Sequence, residues 1–187
     1  MNKFIVKIVD LFIFAISPIF KLCPIFVLYF LIDSFSIVPT RFGVMLRYIC
    51  FKLLSPDSGS NIYIGRFVTL KSMEQLKVGS NVSIHEYCYI DGKGGINIGD
   101  NVSIAHNTSI LSFNHTFSDP HTPIKYNRLV MEPIFIGSDV WIGCGCRILS
   151  GVKIGQRSVI GAGSVVSKEI YGNSLYLGVP AKKIRDI

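Results

Sequence analysis

From residue 78 onward, Ile or Val returns at every sixth position. The run is Val78, Ile84 and Ile90, then, after a two-residue insertion, Ile98, Ile104 and Ile110. After a long break it resumes as Ile136, Ile142, Ile148, Ile154, Ile160 and Val166, and Ile64 and Leu70 extend it upstream. A period of six matches neither an α-helix nor the alternation of a single strand. It suits a prism of three short parallel strands per turn, each side turning one branched residue inward. A small or branched residue stands four places on (Val82, Val102, Val140, Cys146, Val152, Ser158, Ser164), and glycine often follows the branched residue (Gly79, Gly99, Gly137, Gly143, Gly155, Gly161). The glycines are expected to relieve the tight corners. Successive coils would stack at about 4.8 Å. The predicted fold is mainly β, a parallel β-helix of hexapeptide repeats.

The pattern changes at the N-terminus. Residues 1–56 form a hydrophobic and amphipathic helical segment, and 57–187 the β-helix, with a protruding loop at 111–135 and a tail at 171–187. Lys7, Asp10, Pro18, Lys21 and Pro24 interrupt the apolar text of residues 4–32. The uncharged runs Leu11–Phe20 and Leu22–Ile32 are too short to span a bilayer as helices. After Ser34, Arg41, Arg47 and Lys52 stand among branched and aromatic residues, as in a helix lying in an anionic membrane interface with its basic side chains snorkelling. Peripheral association through residues 1–54 is the favoured arrangement. A single span that ignores Lys21, and helices packed on the β-helix or a neighbouring subunit, also fit. Ser55-Pro-Asp-Ser-Gly-Ser60 joins the two parts.

The net charge of +7 divides as +4 over residues 1–56 and +3 over the rest. Such a balance suits nucleic acid, an anionic membrane or a phosphate-bearing ligand. The aromatics lie mostly in the apolar N-terminal segment rather than among Lys and Arg, so nucleic acid is not an expected partner. Five cysteines (Cys23, Cys50, Cys88, Cys144, Cys146) form no CxxC pair. Zinc spacing is absent, and a reducing compartment fits best. The repeat explains Cys146 as a small buried residue.

A β-helix of this gauge has little interior room, so a ligand must bind at a loop or between subunits. The break from Leu111 to Pro133 is long for a compact fold. It carries His115, Asp119 and His121. His115 leaves the coil five residues after Ile110, so its backbone stays anchored to the prism. A neutral imidazole there could take a proton from a hydroxyl or amine attacking an acyl carbonyl. Asp119 is the candidate to orient that ring. At the C-terminal exit, Lys168, Lys182, Lys183 and Arg185 concentrate positive charge suited to cofactor phosphates, or to a solvated cap on the last coil. Trp141 stands on an outer face, fit for a cofactor contact or for packing.

The stretch from Val78 to the C-terminus resembles the hexapeptide-repeat acyltransferases, in particular the sugar and polysaccharide O-acetyltransferases of capsule, O-antigen and exopolysaccharide biosynthesis. The residues carrying the likeness are IGDNVSIA, NHTFSDP, IGSDVWIGCGCRILSGVKIG, VIGAGSVVSKEI and the terminal LGVPAKKIRDI. The likeness covers about 110 of 187 residues and implies a left-handed winding, against the right-handed rule for crossovers. It further implies that His115 is the general base activating an acceptor hydroxyl against the thioester of acetyl-CoA. CoA would lie between adjacent subunits of a homotrimer. The positions matching its contacts are Cys144, Ala162, Ser167, Lys168, Lys182 and Arg185, with Trp141 beside them. No metal is implied.

Two departures bear on the acceptor. Where soluble members carry an acceptor-binding asparagine, this chain has His85-Glu86, and the usual N-terminal helices are replaced by the apolar segment 1–54. His85, Glu86 and Asn114 are therefore candidate acceptor contacts. The expected function is O-acetylation of a bacterial surface polysaccharide or its lipid-linked precursor, in the cytoplasm at the inner face of the membrane. Amino-sugar, serine or antibiotic acetyltransferases share the fold and remain alternatives. So does a non-catalytic or metal-binding β-helix, although His85, His106 and His115 follow no familiar zinc spacing.

Overall fold

In the computed structural model, which describes residues 3–20 and 23–187, three helices lead into a stack of parallel coils. Lys21, predicted to interrupt the apolar run, lies outside the described residues. The first face of the prism pairs Tyr63–Ile64, Ser83–Ile84, Ser103–Ile104, Trp141–Ile142, Val159–Ile160 and Ser174–Leu177 in parallel. The second pairs Thr69–Lys71, Tyr89–Asp91, Ser109–Leu111, Arg147–Ile148 and Val165–Val166. The third pairs Leu76–Val78, Ile96–Ile98, Ile134–Ile136 and Lys153–Ile154. The chain ends in Lys182–Asp186, which turns back antiparallel on Ser174–Leu177.

The six-residue period appears directly in burial. Ile104, Ile110, Ile142, Ile148, Ile160 and Val166 are fully enclosed, and the smaller Val82, Val102, Cys146, Ser158 and Ser164 fill the space beside them. Each branched residue stacks on its equivalent one coil away, which suits β-branched side chains. The glycines act differently from the corner role expected of them. Gly99 and Gly143 have no left-handed φ; instead, a Cβ there would come within 2.7 Å of the Ser138 nitrogen and 2.6 Å of the Ala162 nitrogen. Glycine at this position lets neighbouring coils approach. The left-handed turns fall to other residues, among them Asn81, Asn101 and Asn107, the type that tolerates such φ best after glycine. Asn61, Asn81 and Asn101 also link their side-chain amides from coil to coil.

The N-terminal helices close one end of the stack. Helix α1 (Lys3–Phe20) and α2 (Ile25–Ser34) flank α3 (Thr40–Leu54), which covers the first coil with buried Tyr48, Phe51 and Leu54. Solenoid ends need such covers because their last strands expose unpaired apolar surface. Arg47 secures the joint. Its buried guanidinium donates to the Ile64 carbonyl at 2.9 Å and to the Phe35 and Val38 carbonyls at 2.7 and 3.2 Å. Ser55 Oγ donates to the Leu76 carbonyl, so the connecting loop is tied to the coils.

Helix α1 is apolar on two sides. Val6, Val9 and Ile13 face the protein, and Asp10 turns inward to accept a hydrogen bond from the Tyr48 hydroxyl. Leu11, Phe12 and Phe14 point outward, joined by Phe26 and Phe30 of α2. Among the described residues, no helix is long and apolar enough to cross a membrane.

Candidate active site

The long break in the repeat folds as an arm. Phe113–His115 and Leu129–Met131 pair antiparallel, with His115 opposite Leu129. The backbone of His115 is therefore fixed, while its imidazole is exposed and accepts or donates no hydrogen bond among the described residues. The preceding Asn114, an expected acceptor contact, donates its side-chain amide to Ser150 Oγ at 2.7 Å, and Ser150 in turn bonds Glu132.

Among the described residues Asp119 forms no hydrogen bond or ion pair with His115. Its carboxylate accepts from the His121 backbone N–H at 2.9 Å and the Thr122 hydroxyl at 2.7 Å. These bonds hold its pKa below the usual carboxylate range, the Thr122 hydroxyl contributing most. A short Asp side chain satisfies nearby backbone in this way before it can cross a loop. What organises the arm is Asn127, which the sequence reading overlooked. Its buried amide donates to the Thr122 and Asp119 carbonyls at 2.8 and 3.3 Å, and its oxygen accepts from the Asp119 N–H at 3.1 Å. An Asn amid Thr-Pro and Tyr-Asn-Arg text is a turn signal of the ordinary kind. The tip of the arm bares Phe117, Ile124 and Tyr126.

His85, Glu86, Cys144 and Ala162 gather on the edge between the first and second faces. Coil by coil, the middle residue of that turn is Arg66, Glu86, His106, Cys144 and Ala162, as the backbone ladder Tyr87 to Arg66, Asn107 to Glu86, Gly145 to His106 and Gly163 to Cys144 shows. Glu86 accepts from the Tyr63 hydroxyl at 2.7 Å, and His85 Nδ1 stands 3.8 Å from its other oxygen. Partial burial resists ionisation of Glu86, yet the bond from Tyr63, its backbone N–H and the nearby His85 and Arg47 hold its pKa below the usual range. Burial and Glu86 together push the Tyr63 hydroxyl up to about 12. Arg147, also unforeseen, donates to the carbonyls of Asn107, Gly145 and Cys146 and braces this edge.

Cys146 is buried inside and Cys144 sits half-buried on the edge. Ser167 and Lys168 are exposed after the last second-face strand, and Lys182 and Arg185 lie on the terminal strand. None of these three cations joins an ion pair among the described residues. Trp141 lines a shallow groove on the first face with Asp139, Arg157 and Ile187. Among the described residues, no three His, Cys, Asp or Glu side chains are grouped to hold a metal ion.

The His115 arm leaves from the opposite side of the second face. With one side of the prism between them, about 20 Å by strand rise, His115 and the Cys144–Ala162 edge of one chain do not face each other.

The model for the bacterial transferase hexapeptide, six repeats, matches residues 133–168. The solved structure of a galactoside acetyltransferase in complex with coenzyme A is 31% identical, with a TM-score of 0.76 over 83% of this chain and 77% of that one. The chain belongs to the hexapeptide-repeat acyltransferase family. A dTDP-4-amino-4,6-dideoxy-D-glucose acyltransferase of Escherichia coli is 29% identical over 76% of this chain and 86% of its own length. A relative from Staphylococcus aureus strain Mu50 is 43% identical over 112 residues, 60% of this chain. This chain spans about half (55%) of that relative's length.

Within this family member, Asn127 is expected to govern the arm without governing the coils. Asn127→Ala should speed amide hydrogen exchange across residues 116–128 at least tenfold while leaving the thermal midpoint of the coils within about 3 °C, as expected when only a surface segment loosens. Unchanged exchange in the arm would show that Asn127 does not organise it.

Proposed function

We propose that this chain is an acetyl-CoA-dependent O-acetyltransferase whose acceptor is a sugar hydroxyl of a bacterial surface polysaccharide or its lipid-linked precursor. The observation carrying this reading is the placement of His115: a solvent-facing imidazole on a backbone pinned by the Leu129 pairing, in a chain of this family. An imidazole in that position takes the proton of the acceptor hydroxyl as its oxygen attacks the thioester carbonyl. The C–S bond then breaks, CoA leaves as the thiolate, and the imidazolium returns the proton to sulfur. No covalent intermediate on the protein is needed. The Cys144–Ala162 edge and Trp141 would guide the pantetheine and adenine, while Lys168, Lys182, Arg185 and Ser167 meet the phosphates.

Because one chain separates His115 from that edge by a full face, the working site would need a second copy. The bare apolar tip of the arm (Phe117, Ile124, Tyr126) fits docking on a neighbour. A homotrimer, with three sites between subunits, closes this arrangement without leaving an arm uncovered.

Glycan precursors on lipid carriers are made at the cytoplasmic face of a membrane, and the N-terminal helices suit that surface. With Asp10 turned inward, the outer side of α1 offers Leu11, Phe12 and Phe14 together with exposed Lys7. An apolar face with basic flanks favours an anionic interface. On this reading the enzyme works in the cytoplasm, resting on the inner leaflet.

The likeness to an amino-sugar acyltransferase of Escherichia coli favours one second reading, transfer to a sugar amine.

His115→Ala should lower turnover by about 10³-fold with acetyl-CoA and acceptor saturating, and near-normal turnover would refute the base. A screen of hydroxyl and amino sugars should show transfer to hydroxyls; transfer confined to amines would favour the second reading. The full chain should co-sediment with vesicles containing anionic lipid at physiological salt. A variant carrying Leu11→Glu and Phe14→Glu should lose at least nine-tenths of that binding, through lost apolar insertion and added negative charge; equal binding would exclude this face as the contact.

A further inference from the structure

The turn that joins the first and second faces carries a left-handed residue in coil after coil: Phe67, Tyr87, Asn107, Gly145 and Gly163, with φ between 57° and 71°. Asn and Gly take this conformation readily, whereas a bulky aromatic there is strained and calls for a reason. Phe67 and Tyr87 are the two exceptions, and neither is used to fill the core. Both are exposed, Tyr87 at 58%.

They are also ordered with respect to each other. Their rings stack with centroids 5.4 Å apart and planes 18° from parallel. The Arg66 guanidinium lies over the Phe67 ring at 4.9 Å, and Arg66 is itself tethered to the Ser36 and Ile37 carbonyls. Arg66 covers Phe67, and Phe67 covers one face of Tyr87. Among the described residues no ring or cation packs on the other face of Tyr87, and the next positions along this edge are Asn107, Gly145 and Gly163. A Cβ at Gly145 or Gly163 would meet nothing within 4 Å. Two coils, about 10 Å, separate Tyr87 from Cys144, a span comparable to one six-membered sugar ring lying outside the intervening His106–Asn107 turn. Polar groups line that interval: Glu86, fixed by Tyr63, with His85 beside it and exposed His106 above.

We propose that the free face of Tyr87, backed by Phe67 and Arg66, is the stacking platform for the acceptor sugar ring, with Glu86 and His106 taking its hydroxyls. The apolar C–H face of a pyranose packs on an aromatic ring as other apolar groups do, and a carboxylate and an imidazole at the rim supply acceptor and donor for hydroxyls. This deepens the proposed function by naming residues that set acceptor choice, and it rests on that reading for the position of the transferred acetyl group. The ring of Tyr87 contacts the substrate without acting on it. Phe67 and Arg66 position Tyr87.

The test uses the full chain and variants Tyr87→Asn and Phe67→Asn, since Asn107 already holds the same turn and the substitution keeps it. Saturation-transfer NMR with methyl β-galactoside, methyl α-glucoside and methyl N-acetyl-β-glucosaminide, without CoA, reads stacking independently of catalysis. Thymidine diphosphate serves as the nucleobase probe. The unaltered chain should saturate the ring protons of at least one pyranoside, and Tyr87→Asn should reduce that signal at least fivefold at an undiminished thermal midpoint. Phe67→Asn should reduce it by less. In turnover assays Tyr87→Asn should raise the acceptor KM about tenfold and leave the acetyl-CoA KM unchanged. No saturation of any pyranoside, an equal signal in Tyr87→Asn, or loss confined to thymidine diphosphate would each overturn the platform. Saturation that depends on Tyr87 in a chain that transfers no acetyl group would instead refute the proposed function and leave the sugar site standing.

Discussion

The side-by-side stacking of branched residues inside the prism governs everything else in this protein. Ile104, Ile110, Ile142 and Ile148 have no solvent exposure, and interiors packed to this degree admit no ligand. Each coil also donates its backbone N–H groups to the next, as Ser103 does to Val140 and Arg147 to Ser164. The coils are thus a rigid ruler, and functional groups can stand only on its edges, on insertions, or at its ends. The candidate chemistry occupies all three: an edge from Arg66 to Ala162, an inserted arm with His115, and a basic end at Lys182 and Arg185.

Rigidity has a second consequence. A solenoid of parallel coils cannot fold one of its edges toward another, so groups on different edges of one chain stay apart. His115 and the Cys144–Ala162 edge are held on opposite sides of the second face by the same pairings that stabilise the coils. In the proposed function assembly would join them, with the exposed apolar tip of the arm (Phe117, Ile124, Tyr126) as its surface. At the other end, the buried Arg47 locks the helical cap to the first coil by bonding three carbonyls. The apolar outer side of α1 is therefore carried on a firm base rather than on a loose tether.

The sequence showed the coils because a period of six is written in every turn, and each inward position tolerates only a few side chains. It showed the arm as a break in that period, and His115 as the group nearest the wall. It paired Asp119 with His115 from nearness along the loop, whereas in the folded arm the His121 backbone N–H and the Thr122 hydroxyl compete for that carboxylate. It passed over Asn127 and Arg147, whose value lies in carbonyls brought near only by folding. The aromatic pair at Phe67 and Tyr87 was equally hidden. Nothing in the letters says that these positions take a left-handed turn until coils are aligned with Asn107, Gly145 and Gly163.

In the proposed enzyme, each site draws on two chains. Co-expression of His115→Ala chains with Ala162→Trp chains, each inactive as a pure assembly, tests it. If His115 from one subunit serves the edge of another, mixed assemblies contain some sites free of both lesions, and turnover should return to about a quarter of the unaltered level by random mixing. If each chain builds its site alone, every site keeps a lesion, and mixed assemblies that remain inactive would contradict the account.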